Sequence, residues 1–139
     1  MSDTLTIPTP AQLAKGCEVL NELERQIARS NPVAPLPLEH RFTPGLYSRT
    51  IFMPKGLLCT SKIHKTEHQY VVSKGVLRVW SEELGWQMIR APFIGITNPG
   101  ARRALCILED TVWTTFHPTT LTDLKEIEAA LIEPHDIPQ

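Results

Sequence analysis

The segment Gly56–Gly75, with the sequence GLLCTSKIHKTEHQYVVSKG, constrains the fold of this chain more than any other. Turn signals begin and end it, and between them lie two β-type runs, Leu57–Ile63 and Gln69–Val72. We predict two strands joined by a tight hairpin, with His64 and His68 at its mouth. On one continuous strand, residues four apart would lie about 13 Å from each other, at roughly 3.3 Å per residue. Across a hairpin, facing Cβ atoms are roughly 5 Å apart, so both imidazoles would reach one ion or one small ligand.

Short β-type runs continue from Leu46 to Phe116 and are separated by turn signals every several residues. Eight short strands at this spacing are typical of a small β-barrel or jelly roll. Helical signals flank the β region, with one capped amphipathic segment from Thr9 to Ser30 and another from Thr119 to Glu133. The apolar stripe of the first segment consists of Leu13, Cys17, Leu20, Leu23 and Ile27. The predicted fold class is therefore mainly β, a small β-barrel or jelly roll with an N-terminal and a C-terminal α-helix.

The 139 residues suit one globular domain, which we divide into three parts. Residues 1–44 are predicted to form a tail, the first helix and a proline-rich connector. Residues 45–118 form the predicted β-barrel, and residues 119–139 form the C-terminal helix and tail. In the connector, Leu36 and Leu38 alternate with prolines, so this segment is expected to pin one edge of the sheet.

The formal charge of −1 gives no general attraction to nucleic acid or to an acidic membrane. No apolar run approaches the ~20 residues that cross a membrane, and no signal peptide is visible. The three cysteines, Cys17, Cys59 and Cys106, are scattered, which is typical of reduced, partly buried thiols. A nucleophilic Cys59 is the alternative. We expect a cytoplasmic protein whose partners include neither nucleic acid nor a membrane.

His64 and His68 are the sharpest candidates for a functional site, because neutral imidazole is a common ligand of transition metals. A zinc, iron, manganese or nickel ion would need a third protein ligand. His117, at the end of the last predicted strand, is the best candidate, because that strand should close the barrel beside the hairpin. Glu67 and Glu109 are further candidates. The alternative is a polar cavity without metal, in which the histidines hydrogen-bond to neighbouring side chains.

A cationic group of side chains predicts a different ligand for the same cavity. Lys62, Arg102 and Arg103 near two histidines would favour an anion such as a carboxylate or a phosphate, which a guanidinium fork suits. Strand alternation lets at most one of the two arginines point inward. The full set of predicted ligand-binding residues is Lys62, His64, His68, Tyr70, Arg103 and Trp113.

The Gly56–Gly75 segment resembles the first motif of the cupin (RmlC-like) superfamily. That motif has a glycine, a His-x-His pair, an acidic residue a few positions later and a closing glycine. In this sequence Gly75 matches the closing glycine and His64 matches the second histidine. His68 stands at the position of the acidic residue, and Lys62 stands at the position of the first histidine.

The second cupin motif, usually Pro-x-Gly-x-x-His, is represented by a turn at Pro99 and Gly100, with Arg103 in place of the histidine. The resemblance covers about Pro44 to Pro118. It implies a cupin jelly roll in which two of the four metal-ligand positions carry a possible ligand. It also implies a homodimer, because cupin-like domains commonly pair through their sheets.

Lys62–His68, together with Glu109–Trp113 and His117, also resembles small single-domain cupins of tailed bacteriophages. This likeness implies a phage-encoded protein in the cytoplasm of the host cell. Three hypotheses follow, because fold alone does not determine function. The first, which we favour, is a binding module for a small anionic ligand or a metal ion. The others are a metal-dependent enzyme of the dioxygenase or isomerase type, and a structural or regulatory phage protein that keeps only the fold.

Overall fold

The computed structural model describes residues 36–133, so the predicted N-terminal helix lies outside the described residues. Over these residues, seven β-strands are followed by one short helix. The elements are β1 (Leu38–Thr43), β2 (Leu46–Met53), β3 (Leu58–Thr60), β4 (His68–Ser81), β5 (Gly85–Arg90), β6 (Phe93–Thr97), β7 (Arg103–Pro118) and α1 (Leu124–Leu131). The prediction of a mainly β chain is confirmed, and the division into three parts remains a prediction.

The two longest strands, β4 and β7, pair with each other along most of their length and hold the sheet together. The strand order is β1-β2-β7-β4-β5, with β3 on β7 and β6 on β4. Each long strand has a different outer neighbour along each half: β7 pairs first with β3 and then with β2, and β4 pairs first with β6 and then with β5. Two groups of strands, β1-β2-β7-β4-β6 and β3-β7-β4-β5, thus share the same two long strands, as in a jelly roll.

A series of β-bulges between Val72 and Leu77 separates the two halves of β4. Gly75 lies within it with a φ of 109°, a conformation that other residues rarely adopt. The sequence predicted a turn here between two strands, and Glu109 and Asp110 carry a second turn signal, because aspartate readily forms turns. Both strands continue instead, because each bulged segment stays paired with the other long strand. These two turn signals therefore mark irregularities within strands rather than the ends of strands.

The predicted hairpin between the two β-type runs is wrong as a strand pairing. β3 pairs with β7, whereas β4 pairs with β5, β6 and β7. Residues 61–67 form a connection outside the strands, which includes an isolated bridge between His64 and Ile132. The error has a physical cause: the local pattern shows that a strand forms, but packing against distant strands selects its partner.

The hydrophobic core is filled by the inward-facing residues of alternating strand positions. Four of its members are at most 2% exposed: Val72, Leu77, Val79 and Ile107. Burial of each such side chain stabilises the fold by about 1.5–3 kcal/mol. All four belong to β4 or β7, the strands that also carry His68 and His117, so the core fixes the positions of both histidines.

Helix α1 confirms the predicted C-terminal helix but is shorter than residues 119–133. Asp123 is its N-cap residue. Before it, the Thr119 hydroxyl accepts the N–H of Leu121 (3.1 Å), a local turn that competes with helix formation. In the part of the chain that the structure describes, no helix is long and apolar enough to cross a membrane.

Replacement of Gly75 by alanine should destabilise the fold by about 2–4 kcal/mol, because it combines backbone strain with steric overlap. A Cβ at this position would lie 2.6 Å from the Thr111 Cα and 2.7 Å from the Asp110 carbonyl oxygen, both backbone atoms of β7. Urea unfolding measures the change in the free energy of unfolding.

Gly45→Ala is the matched control. Gly45 also has a positive φ, 77°, but nothing lies within 4 Å of an added Cβ, so only the backbone strain remains. Equal losses of stability for the two variants would contradict the close packing of β4 on β7 at the bulge.

Candidate metal centre

Three histidines from distant positions of the chain meet at one end of the sheet. His68 is the first residue of β4, and His117 lies near the end of β7, where the two strands run side by side. His64 comes from the connection before β4. The ring centroids are 4.3 Å apart for His64 and His68, 4.5 Å for His68 and His117, and 5.3 Å for His64 and His117. One nitrogen of each ring lies within 4.8 Å of the other two, and all three side chains are buried.

Backbone hydrogen bonds on two sides hold His64 in place. The N–H of Lys65 donates to the carbonyl of Leu131 at the end of α1 (2.7 Å), next to the bridge between His64 and Ile132. On the other side, the N–H of Gly100 donates to the carbonyl of His64 (2.9 Å). The C-terminal helix and the turn before β7 therefore position His64, not a hairpin with β4.

Helix α1 covers the histidines from one side. Its Ile127 and Leu131 are buried together with Tyr47 of β2. The Tyr47 ring in turn stacks on His117, at a centroid distance of 5.8 Å. The helix and Tyr47 thus supply an apolar cover over this side of the histidine cluster.

Each histidine uses one ring nitrogen for a local hydrogen bond and keeps the other for a ligand. His68 Nδ1 lies 3.3 Å from the Thr66 carbonyl oxygen, and His117 Nε2 lies 2.9 Å from the Thr115 hydroxyl oxygen. His64 has a backbone hydrogen-bond partner two residues before it. In metal sites, such partners orient the imidazole and fix the tautomer that leaves the other nitrogen unprotonated.

The Nδ1 atom of His117 is buried and has no hydrogen-bond partner among the described residues. A buried nitrogen without a partner destabilises a fold by about 1–3 kcal/mol. Such atoms are rare in native proteins without a functional reason. A metal ion bound to this nitrogen would supply the missing partner. The donor set, three adjacent imidazoles with one ligand nitrogen each, therefore fits a transition metal ion.

The three histidines are neutral at pH 7. Burial, together with repulsion from His68 and Arg49, lowers the pKa of His64 to about 4 and that of His117 to about 3, and His64 contributes to the lowering at His117. Burial also lowers the pKa of His68, to which the positive charge of Arg103 contributes. Neutral imidazoles bind metal without first releasing a proton, so the cluster is ready for a metal at neutral pH.

Lys62 and Arg103, the two cations predicted at the cavity wall, have different surroundings. Lys62 is half exposed, and its Nζ lies 3.2 Å from Glu128 Oε1 of α1, which neutralises its charge. Arg103 is partly buried. Its guanidinium donates to the Thr97 hydroxyl (2.9 Å) and lies 5.4 Å from the centre of the Tyr70 ring. Arg103 therefore has neutral partners at both contacts.

Tyr70 and Trp113, both predicted to bind a ligand, are core residues. Their rings stack at a centroid distance of 4.4 Å, and each is at most 7% exposed. Trp113 still lines a cavity beside the histidines. Tyr70 lines a different cavity on the other side of Arg103, together with Arg102.

Glu67 and Glu109, the alternative metal ligands, are exposed and do not belong to the cluster of possible ligands. Glu109 pairs with Val76 at the bulge. Along β7 it is roughly 26 Å from His117, at 3.3 Å per residue. This distance separates Glu109 from the cluster.

Arg49 is part of the site although the sequence analysis did not single it out. Its positive charge lowers the pKa of both His64 and His117. The signal was present in the sequence, because alternation along β2 places Tyr47, Arg49 and Ile51 on one face. The polar residue in that inward series is Arg49.

Two cavities adjoin the histidines. The first, which we call the barrel cavity, has a volume of about 200 Å³, and its polar lining includes Arg49, Lys62, His64, His68 and Arg103. The second, the helix cavity, has a volume of about 220 Å³ and lies between α1 and the sheet, with His64 and His117 in its lining. Cys59 also lines the barrel cavity. Burial raises the pKa of its thiol to about 11, so it is not an activated nucleophile.

No protein-family model matches the sequence, and no curated protein matches it. Solved structures do match in fold. A cupin-2 domain containing protein from Shewanella frigidimarina gives a TM-score of 0.50 at 9% identity, over 70% of this chain and 92% of that chain. Protein NMB1881 from Neisseria meningitidis gives 0.52 at 9% identity, over 70% and 95% of the two chains.

Salicylate 1,2-dioxygenase from Pseudoaminobacter salicylatoxidans gives a TM-score of 0.55 at 9% identity. The match covers 87% of this chain but only 36% of the dioxygenase. These similarities show that the chain has the cupin fold, and the predicted likeness to that superfamily is confirmed at the level of the fold.

Titration of the buried histidines should make the metal-free protein less stable as the pH falls. Their pKa values are lowered in the folded state, so below about pH 6.5 the unfolded chain binds protons that the folded chain does not. The free energy of unfolding should fall between pH 7 and pH 5 in both proteins. We expect the fall to be about 1–2 kcal/mol smaller in His117→Gln than in the wild type. Urea unfolding in the presence of EDTA measures both proteins.

Arg90→Gln, which changes an exposed residue of β5 without an imidazole, is the control and should keep the pH dependence of the wild type. An identical pH dependence for His117→Gln and the wild type would contradict a buried, neutral His117.

Proposed function

We propose that this chain is a cupin-fold binding protein that holds one divalent transition metal ion through His64, His68 and His117. The observation that carries the proposal is the cluster of three buried imidazoles, whose ligand nitrogens lie within 4.8 Å of one another. The unpartnered Nδ1 of His117 supports it. A bound ion with three protein ligands keeps an open position, where it can polarise an oxygen-containing ligand as a Lewis acid.

The donor set favours zinc, iron or nickel over manganese among the predicted metals. Imidazole suits the first three, whereas manganese prefers carboxylate, carbonyl or water ligands. Glu67 and Glu109 would have supplied carboxylates, but both lie outside the cluster.

A small anionic ligand is the second candidate occupant of the site. Arg49 and Arg103 bring positive charge to the barrel cavity, and no acidic side chain among the described residues lines it. The two candidates are compatible, because the histidines supply the metal ligands and the arginines belong to the cavity wall.

The metal-dependent enzyme and the structural phage protein remain the alternative hypotheses. Copurification with virions would support the structural protein. Phage origin, and with it a location in the cytoplasm of the host, rests on the sequence resemblance alone. The homodimer also remains a prediction, which light scattering at micromolar protein concentration tests, and a monomer mass would contradict it.

Metal should copurify with the untagged protein at about one ion per chain. Loss of one ligand from a set of three should abolish tight binding, so we expect His64→Ala, His68→Ala and His117→Ala each to remove the metal. The fold should persist, because these polar side chains contribute little to the hydrophobic core. Elemental analysis measures the metal, and circular dichroism checks the fold.

His40→Ala is the control, since it removes an imidazole that lies outside the cluster, and it should retain the metal. The proposed centre would be refuted if the wild type contained much less than one metal ion per chain, if added zinc did not raise that amount, and if none of the three cluster variants changed it.

A further inference from the structure

The barrel cavity has a cationic wall without a matching anion. Three basic side chains line it, Arg49, Lys62 and Arg103, and no acidic residue in the described part of the chain does so. Glu128 neutralises Lys62 from outside the cavity. The two guanidinium groups are therefore the charges that a ligand would meet.

Within the described part of the chain, no acidic partner neutralises either guanidinium at the cavity. Arg49 forms no ion pair within residues 36–133. Arg103 contacts the Thr97 hydroxyl and the face of the Tyr70 ring, both of which are uncharged. The carboxylate that acts on the charge of Arg103 is that of Glu83, which lines a different cavity.

The two arginines approach the histidine cluster from different elements. Arg49 lies on β2, and its positive charge lowers the pKa of His64 and His117. Arg103 begins β7, and its charge lowers the pKa of His64 and His68. Both charges lower the pKa of His64, which lines the barrel cavity together with both arginines. Any ion held by the histidines would therefore lie close to two positive charges.

The rest of the barrel cavity is largely apolar. Its apolar lining consists of Leu36, Ile51, Met53, Leu105 and Trp113. At about 200 Å³, the cavity is smaller than the roughly 300–1,000 Å³ of pockets for drug-sized ligands. A fitting ligand is therefore small and has an anionic head and an apolar body. A carboxylate is a compact, planar head that matches the guanidinium fork.

We propose that the barrel cavity binds a small monocarboxylate with an apolar body, and that this carboxylate and the metal ion strengthen each other's binding. The inference rests on the proposed metal function. Three neutral imidazoles bring no negative charge, so the unneutralised charges that a dication would meet among residues 36–133 are those of Arg49 and Arg103, which repel it. The carboxylate offsets one unit of that positive charge. Because coupling between two ligands is reciprocal, each should raise the affinity of the other by the same factor.

Calorimetric titration of the metal-free protein with zinc tests the coupling. Benzoate serves as the probe carboxylate, benzamide as its neutral isostere, and acetate as a carboxylate without an apolar body. We expect millimolar benzoate to tighten zinc binding about ten-fold, within the usual range for coupled sites. Benzamide should have no effect, and acetate should have a smaller effect than benzoate.

Arg49→Gln should remove most of the benzoate effect, and it should tighten zinc binding in the absence of benzoate because one repulsive charge is lost. Arg90→Gln is the matched control, since it removes the same charge from an exposed position on β5. If circular dichroism shows that Arg49→Gln does not fold, Arg49→Lys replaces it. That variant keeps the charge but not the fork, and it should retain part of the coupling.

The outcomes separate this inference from the metal proposal. Tight zinc binding that benzoate does not change would overturn the carboxylate inference and leave the metal centre standing. Inorganic phosphate that acts as strongly as benzoate would overturn the assignment of an apolar carboxylate. Absence of zinc binding with and without benzoate would refute both.

Discussion

The ladder between β4 and β7 is the interaction on which the rest of the structure depends. The two strands carry the most deeply buried core residues, including Val72, Leu77 and Ile107. The same ladder places His68 beside His117 at its end. A slip of one residue would move every side chain to the opposite face of the sheet, so it would disrupt the core and separate the two histidines together. One pairing therefore specifies both stability and site geometry.

Sequence reasoning succeeded where the determining interactions are local. The turn predicted at Gly75 is wrong as the end of a strand, but the glycine itself suits the backbone there, because a positive φ is a property of one residue. Whether the strand ends there depends on its partner, which the local sequence does not show. The proximity of His64 and His68 was predicted through a hairpin that does not form. The two histidines are close for a non-local reason, since backbone hydrogen bonds with Leu131 and Gly100 hold the His64 segment in place.

Burial gives the histidine cluster its chemical character. Three imidazoles in water would be partly protonated near neutral pH, and three adjacent positive charges would repel one another. Removal of solvent disfavours the proton on each ring, and the positive charge of Arg49, of Arg103 or of both adds to this effect. The lone pairs stay available as a result. A metal ion could bind one lone pair from each of the three rings at once, whereas a proton binds a single ring and leaves a buried charge.

Of the departures from the cupin motifs that this sequence resembles, two would act together on the charge of the proposed centre. His68 stands where the first motif has an acidic residue, so the ligand set loses its negative charge. Arg103 stands where the second motif has a histidine, so the wall gains a positive charge. His117 supplies a third imidazole from the last strand, but it does not restore the negative charge. A dication here would thus be held by neutral ligands beside fixed cations, and no carboxylate among residues 36–133 lines the barrel cavity to compensate their charge. Such a site would select its ligand first by charge, and the apolar walls of the cavity would then discriminate among anions by shape.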